Sequence, residues 1–235
     1  MTRARSSAKP MLLLALIAGL YHAAGQGAEA TDPAPAVAAQ YETRSIQLAH
    51  RPQARTQRWY LLRSERRIET WAEDASERQL WQRDADGEIR YARIFPADRR
   101  VVDYQAGDLR ALGRYPDWRR LGELIDAGLL DRLKDTGPVS VLNRGARRYQ
   151  GQIDGVDLEI WWLPRERLPA LLRRGYGDRE IAMHLLALHP LARNPWPQAD
   201  SLGYTHIDFA DLGDMEADPF VQKLHAAEAH AGHGH

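Results

Sequence analysis

From residue 41 to 105 apolar and polar positions alternate in short runs rich in aromatic and β-branched residues, the pattern of strands buried on one face. Runs 41–48, 58–64, 67–72, 79–83, 88–95 and 100–105 read as strands separated by charged or turn-forming stretches. The sharpest hairpin signal is Asp84-Ala85-Asp86-Gly87, because Asp-Gly supplies the positive φ that a tight turn requires. This half is expected to be an antiparallel meander.

The period then changes. Trp118, Leu121, Ile125, Leu129 and Leu133, with Leu124 and Leu130 alongside, recur at steps of three and four, which predicts an amphipathic helix. Pro116 and Asp117 mark its start, Gly137 and Pro138 its end. Period two returns at 148–152 and 156–163, joined across Ile153, Asp154 and Gly155. In the second of these runs Val156, Leu158, Ile160 and Trp162 point one way, so that face is expected to be the buried one. The stretch 178–189 reads as a strand, with a helix as the alternative. A loop with three prolines (190–198) then leads to a last strand at 203–209. No internal repeat and no interdomain linker interrupts this order, so one α+β domain spans 41–224.

The two ends add an address and a candidate chemistry. Arg3, Arg5 and Lys9 precede an apolar run over 11–20, about half the ~20 residues that cross a bilayer as a helix. Ala28 and Ala30 are small residues at the positions a signal peptidase reads. Residues 1–30 are therefore expected to be a signal peptide cut after Ala30, and the Ala/Pro-rich 31–40 a linker. The protein is expected in the periplasm, or secreted. At the other end, His225, His230, His233 and His235 sit on a Gly/Ala-rich stretch read as a flexible tail (225–235). Imidazoles suit Zn, Cu or Ni, so metal handling is the alternative function; no other cofactor is expected.

Composition removes several classes. The 235-residue chain has 32 basic and 32 acidic residues, without the positive excess that nucleic-acid binding needs, and it is not expected to span a membrane. It has no Cys, hence no disulfide, no lipid-bearing thiol and no thiol nucleophile. Asp214, Glu216 and Asp218 alternate as a calcium loop begins. Pro219 and His225 then stand where that loop needs Gly and Glu, which leaves caps and turns. There is no Gly-x-Ser-x-Gly and no His-Glu-x-x-His. His184 and His189 are five apart, and Gly175-Tyr176-Gly177 lacks a third glycine. The chain is not expected to be an enzyme.

Strands, an inserted helix, then the hairpin ending Tyr149-Gln-Gly-Gln-Ile-Asp-Gly-Val-Asp-Leu-Glu-Ile-Trp161-Trp162, followed by Leu168-Pro169, resemble the outer-membrane lipoprotein carrier family with its LolA/LolB-type fold. The resemblance covers most of 41–220 in order of elements. It implies a strongly curved antiparallel sheet forming an incomplete barrel, helices over its opening, and an apolar cavity that shelters acyl chains. Trp161-Trp162 and 207–220 have no counterpart in the carrier, which points to a divergent relative with a role of its own. The expected function is non-catalytic binding or carriage of a lipid or other apolar ligand, with an envelope protein as the partner that loads or receives it. Trp59, Trp71, Trp81, Trp161 and Trp162 lie on predicted strands and are candidates to line the cavity; the plainer role for each is core filling.

Overall fold

The computed structural model describes residues 33–47 and 53–232. The expected signal peptide, His233 and His235 lie outside the described residues. Twelve strands follow in chain order: β1 (Val37–Gln47), β2 (Gln53–Arg63), β3 (Arg67–Ala72), β4 (Arg78–Arg83), β5 (Ile89–Phe95), β6 (Arg100–Tyr104), β7 (Lys134–Val141), β8 (Arg144–Ile153), β9 (Val156–Leu163), β10 (Leu168–Tyr176), β11 (Arg179–Pro190) and β12 (Thr205–Asp208). They form one open sheet in the order β12-β6-β5-β4-β3-β2-β1-β11-β10-β9-β8-β7. Every neighbouring pair is antiparallel except β12, which runs parallel to β6.

The expected strands are present, with β1, β2 and β8 each starting four or five residues earlier than expected; β7 and β10 are not among those expected, and β7 runs through Gly137 and Pro138, which the sequence pattern marks as the end of a helix. At the 84–87 turn, Gly87 has φ 87° and the Asp84 carboxylate accepts from the Asp86 and Glu88 amides. The stretch 178–189 is a strand, β11. Strand β1 begins at Val37, inside the stretch expected to be a linker, because Val37, Ala38 and Ala39 are buried in the sheet.

One packed apolar cluster joins Ile68 and Ala72 on β3 to Ala146 and Ile153 on β8. Those strands are six places apart in the sheet, about 29 Å if it were flat at ~4.8 Å per strand. The sheet therefore curls around its contents. Irregular register at Gln40/Tyr41, Asp135/Gly137 and Pro169/Leu171 supports the curl, since a bulge adds twist and bend. Pro169 sits at one of these irregularities, where a residue without an N–H is tolerated inside a sheet.

The concave side is filled by residues 118–133. The expected amphipathic helix is realised only as α2 (Trp118–Glu123), which follows α1 (Ala106–Ala111) in the chain. Asp117 caps α2 by accepting from the amides of Arg119 and Arg120. Leu124 ends it at φ 64°, Gly128 turns the chain at φ 73°, and a 3-10 turn follows at Leu130–Arg132. The break has a local cause: the Gly122 carbonyl, which would accept from residue 126 in a continuing helix, accepts instead from Arg63 Nη1 at 2.6 Å. Burial follows the helical spacing even so, and Leu121, Ile125, Leu129 and Leu133 are all buried against the sheet. We call 118–133 the plug.

At the β6 end the concave side continues into a second cluster, in which Phe95, Val102, Tyr104 and Leu109 pack on Ile207, Leu212, Phe220, Val221 and Leu224. The last three belong to α3 (Pro219–Gly232), so the chain expected to be a flexible tail from residue 225 continues as helix to Gly232.

The opposite, convex face is crossed by residues 194–204, which link β11 to β12. Their anchor is Glu69, fully buried, whose carboxylate accepts from Arg78 and the Ala199 amide through Oε1 and from Arg67 through Oε2. Arg67 and Arg78 in turn donate to the Ala199 and Pro197 carbonyls, and Arg78 lies 4.3 Å over the Trp71 ring. Replacing Glu69 by Ala would leave the Ala199 amide without its acceptor and remove the one carboxylate that Arg67 and Arg78 share. We expect a loss of about 3–5 kcal/mol in denaturant unfolding, the range for breaking one side of a buried ion pair. A loss below ~1 kcal/mol would contradict this role.

Candidate functional site

Parity along the strands sorts the five candidate tryptophans. Trp59, Trp81 and Trp162 face the concave side, where all three pack with the main cluster. An aromatic row runs across that face: Tyr41 stacks on Trp59 (4.7 Å), Trp81 on Tyr91 (4.2 Å), and Tyr104 on Phe209 (4.5 Å), with Tyr91 and Tyr104 5.2 Å apart. The polar atoms of the row are satisfied. Trp59 donates to Thr43 Oγ1 at 3.0 Å, and the Tyr41 hydroxyl donates to the Pro169 carbonyl at 3.1 Å. Burial pushes the Tyr41 and Tyr91 phenols far above their ordinary range, so both stay neutral.

Trp71 and Trp161 face the other way. Trp71 stacks on Tyr60 at 4.9 Å beneath the 194–204 segment, where Trp196 also meets Tyr60. Trp161 donates to Glu159, whose buried carboxylate also accepts from Arg148 at 2.8 Å and from Arg173. By strand parity both point to the convex side, although Trp161 also packs against the main cluster.

The hollow of the sheet is thus built of apolar and aromatic side chains, and the plug occupies it. What holds the plug is a group that the sequence reading did not single out. Arg63, at the end of β2, is 2% exposed. Its Nε and Nη2 donate to the Pro35 carbonyl, Nη1 to those of Gly122 (2.6 Å) and Arg167 (3.1 Å), and Nη2 also to that of Glu166 (2.5 Å). Burial pulls its pKa down to about 10, which leaves it cationic at neutral pH. Beside it, Glu123 is buried and paired with Arg119 (3.0 Å) and Arg167. Gly122 lets the arginine stem close in, since a Cβ there would lie 3.1 Å from Arg63 Cδ. The signal for Arg63 was present: by alternation it shares the inward face with Trp59 and Leu61, and a charge at an inward position needs a reason.

Where the plug meets the β9–β10 turn, a cleft of about 550 Å³ opens to solvent. Ile125 and Trp162, both members of the main cluster, form apolar wall, and Arg119, Arg165 and Arg167 face Glu123, Asp126 and Asp131 around it. His225 is exposed on α3, the side chain of His230 falls outside the described residues, and no group of three His, Cys, Asp or Glu among the described residues could hold a metal ion. Among the described residues no helix is long and apolar enough to cross a membrane.

Two substitutions test this reading. Arg63→Ala should speed amide exchange across 121–133, with the amides of β9–β11 unchanged; uniform acceleration would mean global loosening instead. For Glu159, burial, the largest influence, pushes the carboxyl up, yet the Trp161 N–H, Arg173 and Arg148 together hold it below its ordinary value. A folded value below the unfolded one adds stability above the unfolded pKa that disappears as pH falls through the folded pKa. Glu159→Gln should therefore destabilise at pH 7 and converge with the parent in acid, as read from Tm against pH.

No family model matches the chain, and no curated protein matches it. Solved structures similar to it include PNGF-II (9% identity over 75% of this chain and 33% of that one, TM-score 0.36) and the Pseudomonas aeruginosa MucA/MucB complex (14%, 70% and 56%, TM-score 0.42). A LolA superfamily protein from Nitrosomonas europaea is similar at 8% identity over 74% of this chain and 91% of that one, with a TM-score of 0.33. The chain spans about a third of PNGF-II and just over half of the MucA/MucB chain. The fold itself is an open, curled antiparallel sheet closed over by an inserted helical segment, the incomplete barrel that the resemblance to the carrier family implies.

Proposed function

We propose that the protein is a periplasmic, non-catalytic carrier-type binding protein, which takes a lipid or other apolar ligand between the concave face of its sheet and the plug. The observation that carries this reading is the mismatch between the two partners in the hollow. The sheet offers a continuous apolar and aromatic face, whereas its cover is a broken segment with one short helix, a left-handed Leu124 and a glycine turn.

Magnitudes support an exchange. Exposing the Leu121, Ile125, Leu129 and Leu133 side chains would cost roughly 6–12 kcal/mol at about 1.5–3 kcal/mol each. An acyl chain of about twelve methylenes buried in their place returns roughly 10 kcal/mol at ~0.8 kcal/mol per methylene. The two are close enough that a ligand can displace the plug without unfolding the sheet. An envelope protein that loads or receives the ligand fits this role, because a carrier requires a donor and an acceptor.

The test uses acyl chains brominated near mid-chain, which quench tryptophan fluorescence on contact. Saturable quenching is expected, reduced in Trp81→Phe and Trp162→Phe. The substitutions Trp71→Phe and Trp161→Phe, on the opposite face, should leave the quenched fraction of the remaining signal intact. Absence of saturable quenching, or quenching that depends equally on all four, would sink the proposal.

A further inference from the structure

The cleft beside the plug carries information about the ligand's polar end. Its wall is shared with the apolar cluster: Ile125 and Trp162 are 4% and 8% exposed and face cleft on one side and core on the other. A chain entering the hollow there would leave its head group in the cleft, at the level of the charged side chains around it.

Those charges are balanced. Three arginines stand against three carboxylates, and most of them already serve one another: Glu123 takes Arg119 and Arg167, and Asp126 takes Arg120 at 3.0 Å. What remains is Arg165 on the β9–β10 turn and Asp131 on the plug, both exposed, neither with an ion-pair partner among the described residues. One cation and one anion thus flank the same cleft from opposite elements. A head group with only negative charge would gain from Arg165 and lose as much to Asp131 and Asp126. A head group that carries a phosphate and an ammonium together can place each against its opposite, and the guanidinium fork matches phosphate geometry. A cleft of about 550 Å³ is of the size that accommodates such a group.

We infer that the ligand is a zwitterionic phospholipid-type amphiphile, with its phosphate at Arg165 and its ammonium at Asp131. This rests on the apolar-carrier reading above and names the ligand class for the same site. Because Asp131 rides on the plug and Arg165 on the sheet side, such a head group would also bridge the two elements that part when the chain enters.

The experiment is displacement of a fluorescent acyl probe from the full mature protein by lysophosphatidylethanolamine, lysophosphatidylglycerol and a free fatty acid of equal chain length, with soluble phosphoethanolamine as a fourth competitor. The zwitterionic lysolipid is expected to compete about tenfold more tightly than the two anionic amphiphiles. Asp131→Lys should reverse that preference in favour of lysophosphatidylglycerol, and Arg165→Glu should weaken all three amphiphiles, because each places an anion at that guanidinium. Equal competition by all three amphiphiles, or a preference that survives both substitutions, overturns the inference and leaves the carrier reading standing. Soluble phosphoethanolamine competing as well as its lysolipid would overturn the lipid as source. Failure of the probe to bind at all removes both readings together.

Discussion

Arg63 holds a guanidinium inside the protein and satisfies it with backbone carbonyls alone, from Pro35, Gly122, Glu166 and Arg167. Three segments that are remote in sequence meet on this one side chain: the stretch that leads into β1, the plug, and the turn between β9 and β10. A planar fork with five N–H donors can join several carbonyls at once, which a lysine could not do with the same geometry. The arrangement couples the segments, because taking any one carbonyl away leaves a donor desolvated at about 1–3 kcal/mol. It also explains why the plug is not a regular helix. The carbonyl that Arg63 takes at Gly122 is one the helix would have needed to continue.

The curl of the sheet follows from the same closure. A sheet with this many apolar side chains on one face must bury them, and twelve strands are too many for a flat layer to be covered by a single short helix. Bending around the plug solves the problem over β1–β3 and β8–β11, and α1, α3 and the 3-10 turn at Phe209–Asp214 solve it at the β6 end. The outer face needs a different device. There the 194–204 segment crosses the strands, pinned by Glu69 and Trp196, and delivers β12 to the far edge, where it pairs in parallel with β6. The functional reading depends on this division. The convex face is strapped over a small apolar cluster of Leu80, Ala92, Ile94 and Val101, which packs on Ala199 and Tyr204, and the larger concave face is apolar and covered by the least regular part of the chain.

Much of this was legible beforehand. Alternation at 67–72 and 88–95, the Asp-Gly turn at 87, and the apolar side of Val156 to Trp162 each depend on neighbours within a few residues, so local pattern records them faithfully. The stripe Leu121, Ile125, Leu129, Leu133 is instructive because it was half legible. Its spacing correctly marks which side chains leave water, yet the helix it implies stops at Glu123. The division of the tryptophans was hidden for a related reason: Trp161 and Trp162 are adjacent and equally apolar, and only the direction of the curl says which of them faces the hollow.

The sequence by itself determined most of the strands, their turns and many of the side chains that must be buried, since a side chain's aversion to water and a turn's demand for glycine act locally; β7 and β10 escaped it. Tertiary structure alone decided where the helix breaks, which of two equally apolar neighbours such as Trp161 and Trp162 faces the hollow, and that Arg63 and Glu123 belong to the core. Those outcomes turn on competition for particular carbonyls and carboxylates by partners such as Arg63 and Gly122, 59 residues apart, or Arg63 and Arg167, 104 apart. No periodicity along the chain encodes such a meeting; it exists only once the sheet has curled.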